Sequence, residues 1–379
     1  MSAYSFEPTF VQSSLVNDVD TDQSTATPSS STPPSSEPWS HAGSLASVIC
    51  HVAHLERSLR SDTDTVFFDS DSEVLGRKVD VGRGASFRVQ RAEWRKKDAA
   101  TQAAVETRWG KYVALKSVQH TRDDWRDVLL EVRALLHPQL RYHPNMVQLV
   151  GLGWGGSAGD AVFPQLVMQF SEIGSLLHLQ THCDALPFAL KKKLCYDVGR
   201  GLSVLHACGI VHGDLTHANV LVFRSKVSTP GLPLTAKLSD FGGAVMDMAA
   251  RERFALRMAT WPFSAPEQGA WLSAEVLKQT DVYSFGLFVW RTVVDCANIL
   301  GVFGLDGHMT AAAQQTVALL KQTPAFLTGA KNSVRAYAAA NAMRGGALAM
   351  VLEALECTVQ PDPTKRSLTR AQCLLIGMR

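Results

Sequence analysis

Hydrophobic positions along this chain follow two different periods, and the change from one to the other divides it. Short apolar runs at 77–90 and 112–117 predict strands. Between them lies a polar insert, 94–110, rich in Lys, Ala and Gln, which reads as a hairpin loop. Over 123–137 the apolar residues Trp125, Val128, Leu129, Val132, Leu135 and Leu136 share one stripe at 100° per residue. That predicts a helix ended by Pro138, with Glu131 on the flank of the stripe. Two further strands are expected at 146–151 and 165–170. After Gly174 the period becomes helical: Leu190, Leu194, Val198, Leu202 and Leu205 mark a buried helix running into His212. Helical patterns recur at 282–294, 311–321, 334–340 and 347–359. A strand-rich first third followed by a helical remainder predicts two lobes of different class, an α+β chain.

The N-terminal stretch obeys neither period. Residues 18–38 are Ser, Thr and Pro with few large apolar side chains, too few to offset the entropy of ordering, so they read as disordered. Leu45, Val48, Val52, Leu55 and Leu59 then outline a short helix over 41–60. Packing of that helix on its own domain is the plainer reading; binding a partner is the other. The expected layout is a tail over 1–70, a first lobe over 71–171 and a second over 172–379.

Composition narrows the classes. With 379 residues, 46% of them hydrophobic, the chain can build both lobes and a sizeable core. Its 37 basic and 35 acidic residues leave a net charge of +2, which offers no electrostatic case for nucleic acid or a membrane surface. Seven scattered cysteines with no C-x-x-C pair argue against zinc or a disulfide framework. A reducing compartment follows, so an intracellular, cytoplasmic location is expected, with the nucleus open. No basic segment leads into an apolar core at the N-terminus, and no run of eighteen apolar residues occurs, so neither a secretory signal nor a membrane span is expected.

The chemistry concentrates in His212-Gly213-Asp214-Leu215-Thr216-His217-Ala218-Asn219, with Asp240-Phe241-Gly242 downstream. One carboxylate, Asp214, can orient an attacking hydroxyl and accept its proton. The amide oxygen of Asn219 and the carboxylate of Asp240 are hard ligands for Mg²⁺ on a nucleotide's phosphates. Lys116 closes an apolar strand, and Glu131 follows fifteen residues later on the next helix. In isolation two solvated charges would be the plainer reading. In this setting a strand-to-helix ion pair holds the ammonium over the α- and β-phosphates.

These elements together resemble a protein kinase. Val113-Ala114-Leu115-Lys116 resembles the strand carrying the family's lysine. Gly82-Arg83-Gly84-Ala85-Ser86-Phe87-Arg88-Val89 matches the first two glycines and the valine of the phosphate-covering loop. Ala265-Pro266-Glu267, Asp281-Val282-Tyr283-Ser284-Phe285-Gly286, Asp362-Pro363-Thr364-Lys365-Arg366 and His143-Pro144-Asn145 fall in the family's order. The wording of the Asp281 motif and Gly174-Ser175-Leu176 look most like the tyrosine-kinase-like group of serine/threonine kinases.

The resemblance implies a bilobal fold: a five-stranded antiparallel first lobe with one main helix, and a mostly helical second lobe. It implies ATP and Mg²⁺ as cofactors and a protein substrate. Asp214 would be the general base, supported by Lys116 and Glu131, with Asn219 and Asp240 as metal ligands. Gly82, Gly84, Val89, Ala114 and Lys116 would line the nucleotide. Met168 would be the gatekeeper, and Gln169, Phe170 and Ser171 the hinge that meets the adenine edge. Asp281 would hold the catalytic-loop backbone, and Arg366 would pair with Glu267. His212 reads as a structural histidine bonding backbone near the Asp240 turn, and His217 as a surface residue.

Three departures bear on activity. Gly213 stands where the family has an arginine that docks an activation-segment phosphate, so activity should not depend on that phosphorylation. Thr216 stands where serine/threonine kinases place a phosphate-contacting lysine; losing such a charge costs on the order of 10²-fold in rate. Phe87 takes the third glycine position, from which it can cap the phosphates. Two readings result: a competent but slow serine/threonine kinase, because all five core residues are present, or a pseudokinase acting as a nucleotide-binding or scaffolding module.

Overall fold

The computed structural model describes residues 66–69, 75–83, 87–94, 106, 109–118, 125–156, 162–225, 232–248, 252–258, 260–296, 298–305 and 310–377. The Ser/Thr/Pro-rich segment, the helix expected over 41–60, Gly84 and most of the 94–110 insert lie outside these residues.

The first lobe contains β1 (Val66–Asp69), β2 (Leu75–Arg83), β3 (Phe87–Trp94), β4 (Tyr112–Val118), α1 (Trp125–Leu135), β5 (Leu149–Gly156) and β6 (Val162–Gln169). They form one sheet in the order β1-β5-β6-β4-β3-β2. Five of these strands pair antiparallel, as expected. The single run expected over 77–90 is two strands, β2 and β3, with Gly82 opposite Val89. β1 is an addition: it pairs parallel to β5, with Val66 opposite Gly151, and falls in the stretch read as tail. Four residues are too few to carry a readable period.

The pleat of β4 sorts its side chains. Val113 and Leu115 point into a small cluster with Ala92, Val150 and Val167 on one face of the sheet. Ala114 and Lys116 alternate to the opposite face, where the main core and α1 lie. The stripe predicted for α1 packs as expected, with Val128, Val132 and Leu135 buried. Glu131 is buried as well, because the sheet closes over the flank of the stripe.

The second lobe comprises α2 (Leu176–His182), α3 (Phe188–Ala207), the hairpin β7 (Val220–Arg224) and β8 (Leu234–Leu238), α4 (Ala274–Val294), α5 (Ala311–Lys321), α6 (Pro324–Ala340), α7 (Gly345–Glu356) and α8 (Leu368–Ile376). Leu190, Leu194, Val198, Leu202 and Leu205 of α3 are all buried. α4 buries residues around nearly its whole circumference, the signature of a central helix. Gly286 lets the turn after α7 approach it: a Cβ there would lie 2.3 Å from Thr358 Oγ1. Among the described residues no helix is long and apolar enough to cross a membrane.

Backbone bonds join the lobes ahead of β5. Leu238 N–H donates to Asn145 O at 2.9 Å, Val147 N–H donates to Leu238 O at 2.9 Å, and the Asn145 amide donates to Ala236 O at 3.0 Å. The segment that enters the first lobe's sheet is therefore also an edge of the β7–β8 hairpin.

Arg366 and Glu267 form the expected bridge, with Nη1–Oε1 at 2.5 Å and Nη2–Oε2 at 2.9 Å. The guanidinium also donates to the carbonyls of Gln279, Gln360 and Pro361 and lies over the Tyr283 ring. Its donors are thus fully engaged while its side chain is excluded from solvent. Arg366→Ala leaves the Glu267 carboxylate without its cation and should lower unfolding free energy by about 3–5 kcal/mol in urea denaturation. A change under about 1 kcal/mol would contradict this account of the bridge.

Candidate active site

Sheet register gathers the nucleotide-side residues before any side chain is considered. Gly82 pairs with Val89, Val89 with Lys116, and Ala114 with Met168. Directly paired residues share a face, so Val89, Ala114, Lys116 and Met168 all face the cleft side. Met168 is buried, and Gln169 is the last paired residue of β6. Gln169 accepts from Lys237 Nζ through its side chain at 2.8 Å. Ser171 spends its hydroxyl on the second lobe, its one proton lying between Val222 O and Gly174 O while its oxygen accepts from Gly174 N–H. The link between the lobes is thereby fastened to β7.

Lys116 sits where the lobes meet. Its Nζ donates to Glu131 Oε2 at 2.6 Å and to Asp240 Oδ1 at 3.0 Å. Burial alone would favour loss of its proton, but the two carboxylates outweigh that and raise its pKa. Burial pushes the Glu131 carboxyl up to about 7 against the pull of Lys116. The lysine still holds its proton more tightly than the carboxyl would, so the proton between them stays on Lys116. The short contact to a lysine that also holds Asp240 decides for an ammonium.

Asp240 adopts a left-handed backbone, φ 63°, and is followed by Phe241, which is buried. The anchor for this turn is His212. Its Nδ1 accepts from Asp214 N–H at 3.3 Å, which leaves the proton on Nε2 to donate to Ser239 O at 3.1 Å. The structural reading of His212 holds.

Asp281 fixes the loop from below. One oxygen accepts from His212 N–H at 2.8 Å and from His206 Nε2 at 2.9 Å; the other accepts from Gly213 N–H at 3.0 Å. Burial would raise this carboxyl, but the hydrogen bonds it accepts from His206 and from the Gly213 N–H outweigh that and hold it below its usual range. His206 carried no signal in the sequence; it reaches Asp281 only because α3 runs beside α4.

Asp214 and Asn219 face one another. Asn219 Nδ2 donates to Asp214 O at 2.8 Å and to Asp214 Oδ2 at 2.9 Å, so its amide oxygen is what it has left to offer a cation. Asp214 Oδ1 accepts from Thr260 N–H at 3.0 Å. Among the described residues no cluster of three or more His, Cys, Asp or Glu could hold a metal by itself. A cation shared with phosphates needs only one or two protein oxygens.

Residues 75–317 match the family model described as protein tyrosine and serine/threonine kinase. The chain belongs to that family. The serine/threonine-protein kinase PBS1 of Arabidopsis thaliana is 29% identical over 219 residues, 55% of this chain and 43% of that protein. A receptor-like serine/threonine-protein kinase of the same plant is 28% identical over 245 residues, 62% of this chain and 22% of its own length. A mimivirus protein named as a serine/threonine-protein kinase/receptor is 30% identical over 225 residues, 56% of this chain and 12% of its own. The chain thus spans less than half the length of these relatives. Kinases of this family use ATP, typically with Mg²⁺.

Several site residues of this kinase domain differ from what the sequence implied. His217 is buried, not on the surface. Its Nε2 contacts Thr292 Oγ1 at 2.9 Å, its ring stacks on Phe288 at 4.2 Å, and burial drives its pKa well down. It is a neutral core histidine that docks the loop on α4. Thr216 is buried too, with Oγ1 near Asn219 N–H at 3.4 Å, so its short side chain is used inside the loop. Phe87 covers the Lys116 ammonium itself, 4.2 Å from ring centroid to Nζ.

The activation segment carries ties that the sequence did not reveal. Arg257 Nη1 meets Asp127 Oδ1 of α1 at 2.7 Å, and Arg133 Nη2 of α1 meets Asp247 Oδ1 at 2.8 Å. Lys321 Nζ donates to Pro262 O at 2.5 Å and Ser264 O at 2.6 Å.

Gly213 is a glycine for a steric reason. Its φ is +78°, and a Cβ would lie 2.8 Å from Gly243 O. Restoring the family's arginine by Gly213→Arg should cost about 1–3 kcal/mol of stability by urea denaturation. A variant as stable as the parent would show that the loop backbone is not committed to this glycine.

Proposed function

We propose that this chain is a serine/threonine protein kinase that transfers the γ-phosphate of ATP to a hydroxyl of a protein substrate, with modest turnover. The observation that carries it is the convergence of Lys116 on Glu131 and Asp240, with Asp214 and Asn219 hydrogen-bonded to each other on the neighbouring loop.

In this reading bound MgATP supplies the phosphoryl group and a metal that neutralises its charge. Lys116 orients the α- and β-phosphates and is itself held by Glu131. Gly82, Gly84, Val89 and Ala114 cover the nucleotide, Met168 backs the adenine, and the backbone of Gln169 to Ser171 meets its edge. Asn219 and Asp240 hold Mg²⁺ through oxygen. Asp214 accepts the proton of the substrate hydroxyl; the Asn219 amide and the Thr260 N–H fix its rotamer. The absence of a cation at Thr216 removes one stabiliser of transition-state charge, which is why turnover is modest.

Regulation follows from the same contacts. Gly213 provides no guanidinium for an activation-segment phosphate, and Asp127–Arg257 and Arg133–Asp247 tie that segment to α1 without one. The relatives named as serine/threonine kinases, and the tyrosine-kinase-like wording of the Asp281 motif, support a serine or threonine acceptor. The free cysteines support a reducing, cytoplasmic setting.

Transfer of labelled γ-phosphate to a degenerate peptide library with Mg²⁺ tests this reading. Wild type should label Ser/Thr peptides, Asp214→Ala and Asp240→Ala should lose at least about 10²-fold, and phosphatase treatment should leave the rate unchanged. Wild-type labelling no higher than that of the two variants would instead make the chain a pseudokinase.

A further inference from the structure

Phe87 does more than vary a glycine position. Register places it opposite Val118 in β4, so its side chain projects on the same face as Lys116, one diagonal step away. There it is 8% exposed and belongs to the main core cluster. Its ring centroid lies 4.2 Å from Lys116 Nζ, within the range of a cation–π contact.

An ammonium has three donors. Lys116 directs two at Glu131 and Asp240. The remaining face lies under the Phe87 ring, and the lysine side chain is only 6% exposed. Among the described residues no open approach to the ammonium is left for an anion. A nucleotide phosphate that contacts Lys116 must take the position the ring now holds.

We propose that Phe87 is a built-in competitor of the nucleotide's phosphates, a gating residue whose ring must leave the Lys116 ammonium before a triphosphate can engage it. This rests on the kinase reading above and concerns access to the same cleft. The ring holds the ammonium through its quadrupole and through apolar contacts with the core, while a phosphate holds it through charge. When only a fraction of molecules has the ring displaced, apparent affinity for phosphate-bearing ligands falls by that fraction. A desolvated cation–π contact is strong enough to make this about ten- to thirtyfold. A ligand with no phosphate has no quarrel with the ring, so adenosine should be indifferent to it.

The test is calorimetric titration of the full chain with MgATP and, separately, with adenosine. The variants are Phe87→Gly, which restores the family's residue, and Phe87→Leu, which keeps apolar bulk without the aromatic face. Thermal melts confirm that each is folded. Phe87→Gly should bind MgATP about tenfold tighter or more, Phe87→Leu should also gain, and adenosine affinity should stay within about twofold. MgATP affinity unchanged or weakened in both folded variants, with adenosine still bound, would overturn the gate while leaving the kinase reading intact. Equal gains for MgATP and adenosine would also overturn it, because the ring would then obstruct the whole cleft. Folded protein that binds neither ligand in any form would remove the kinase reading, and the gate with it.

Discussion

A single ammonium shared by two carboxylates sets the geometry of this chain. Lys116 comes from the sheet, Glu131 from α1 and Asp240 from the second lobe, so one cation ties three independently built pieces together. Burying the charges of Lys116 and Glu131 is expensive, and the attraction among the three groups offsets that cost only when the geometry is tight. The contacts at 2.6 and 3.0 Å meet that condition. Everything chemical in the cleft is measured from this cluster: it places α1 against the sheet, positions the Asp240 turn, and holds a positive charge beneath the Phe87 ring.

The second lobe answers with a loop whose backbone is pinned. Asp281 takes the N–H groups of His212 and Gly213, His212 reaches Ser239 O, and His217 anchors the loop's far side on Phe288 and Thr292. These bonds are inward-facing and leave Asp214 and Asn219 turned towards each other at the loop's mouth. The rigidity is bought with glycine at 213, where no other side chain fits beneath Gly243 O. The same choice leaves no arginine directly before Asp214.

Much of this was legible from residues alone because the chemistry depends on types at fixed spacing. Lys116 with Glu131 was readable as a pair, and Asp214 and Asn219 as a carboxylate and an amide in one loop, while the Arg366–Glu267 bridge was expected from the family resemblance. The α1 stripe and four strand runs were legible from period; the fifth antiparallel strand was expected only from the family resemblance. What stayed hidden depends on tertiary neighbours. His217 sits between an exposed Ala218 and a buried Thr216, and local pattern cannot say which face of a loop meets α4. Phe87 over Lys116 requires the β3–β4 register, and Arg257–Asp127 spans 130 residues with no motif at either end. β1 was missed because four residues carry too little pattern.

The most direct test of the central claim is electron paramagnetic resonance of Mn²⁺, substituting for Mg²⁺, titrated into the full chain with and without ATP. Wild type should hold one Mn²⁺ per chain only when ATP is present, and Asp240→Asn should lose it. Mn²⁺ binding that is independent of ATP, or that survives Asp240→Asn unchanged, would contradict the convergence of Lys116, Asn219 and Asp240 on one metal–nucleotide complex.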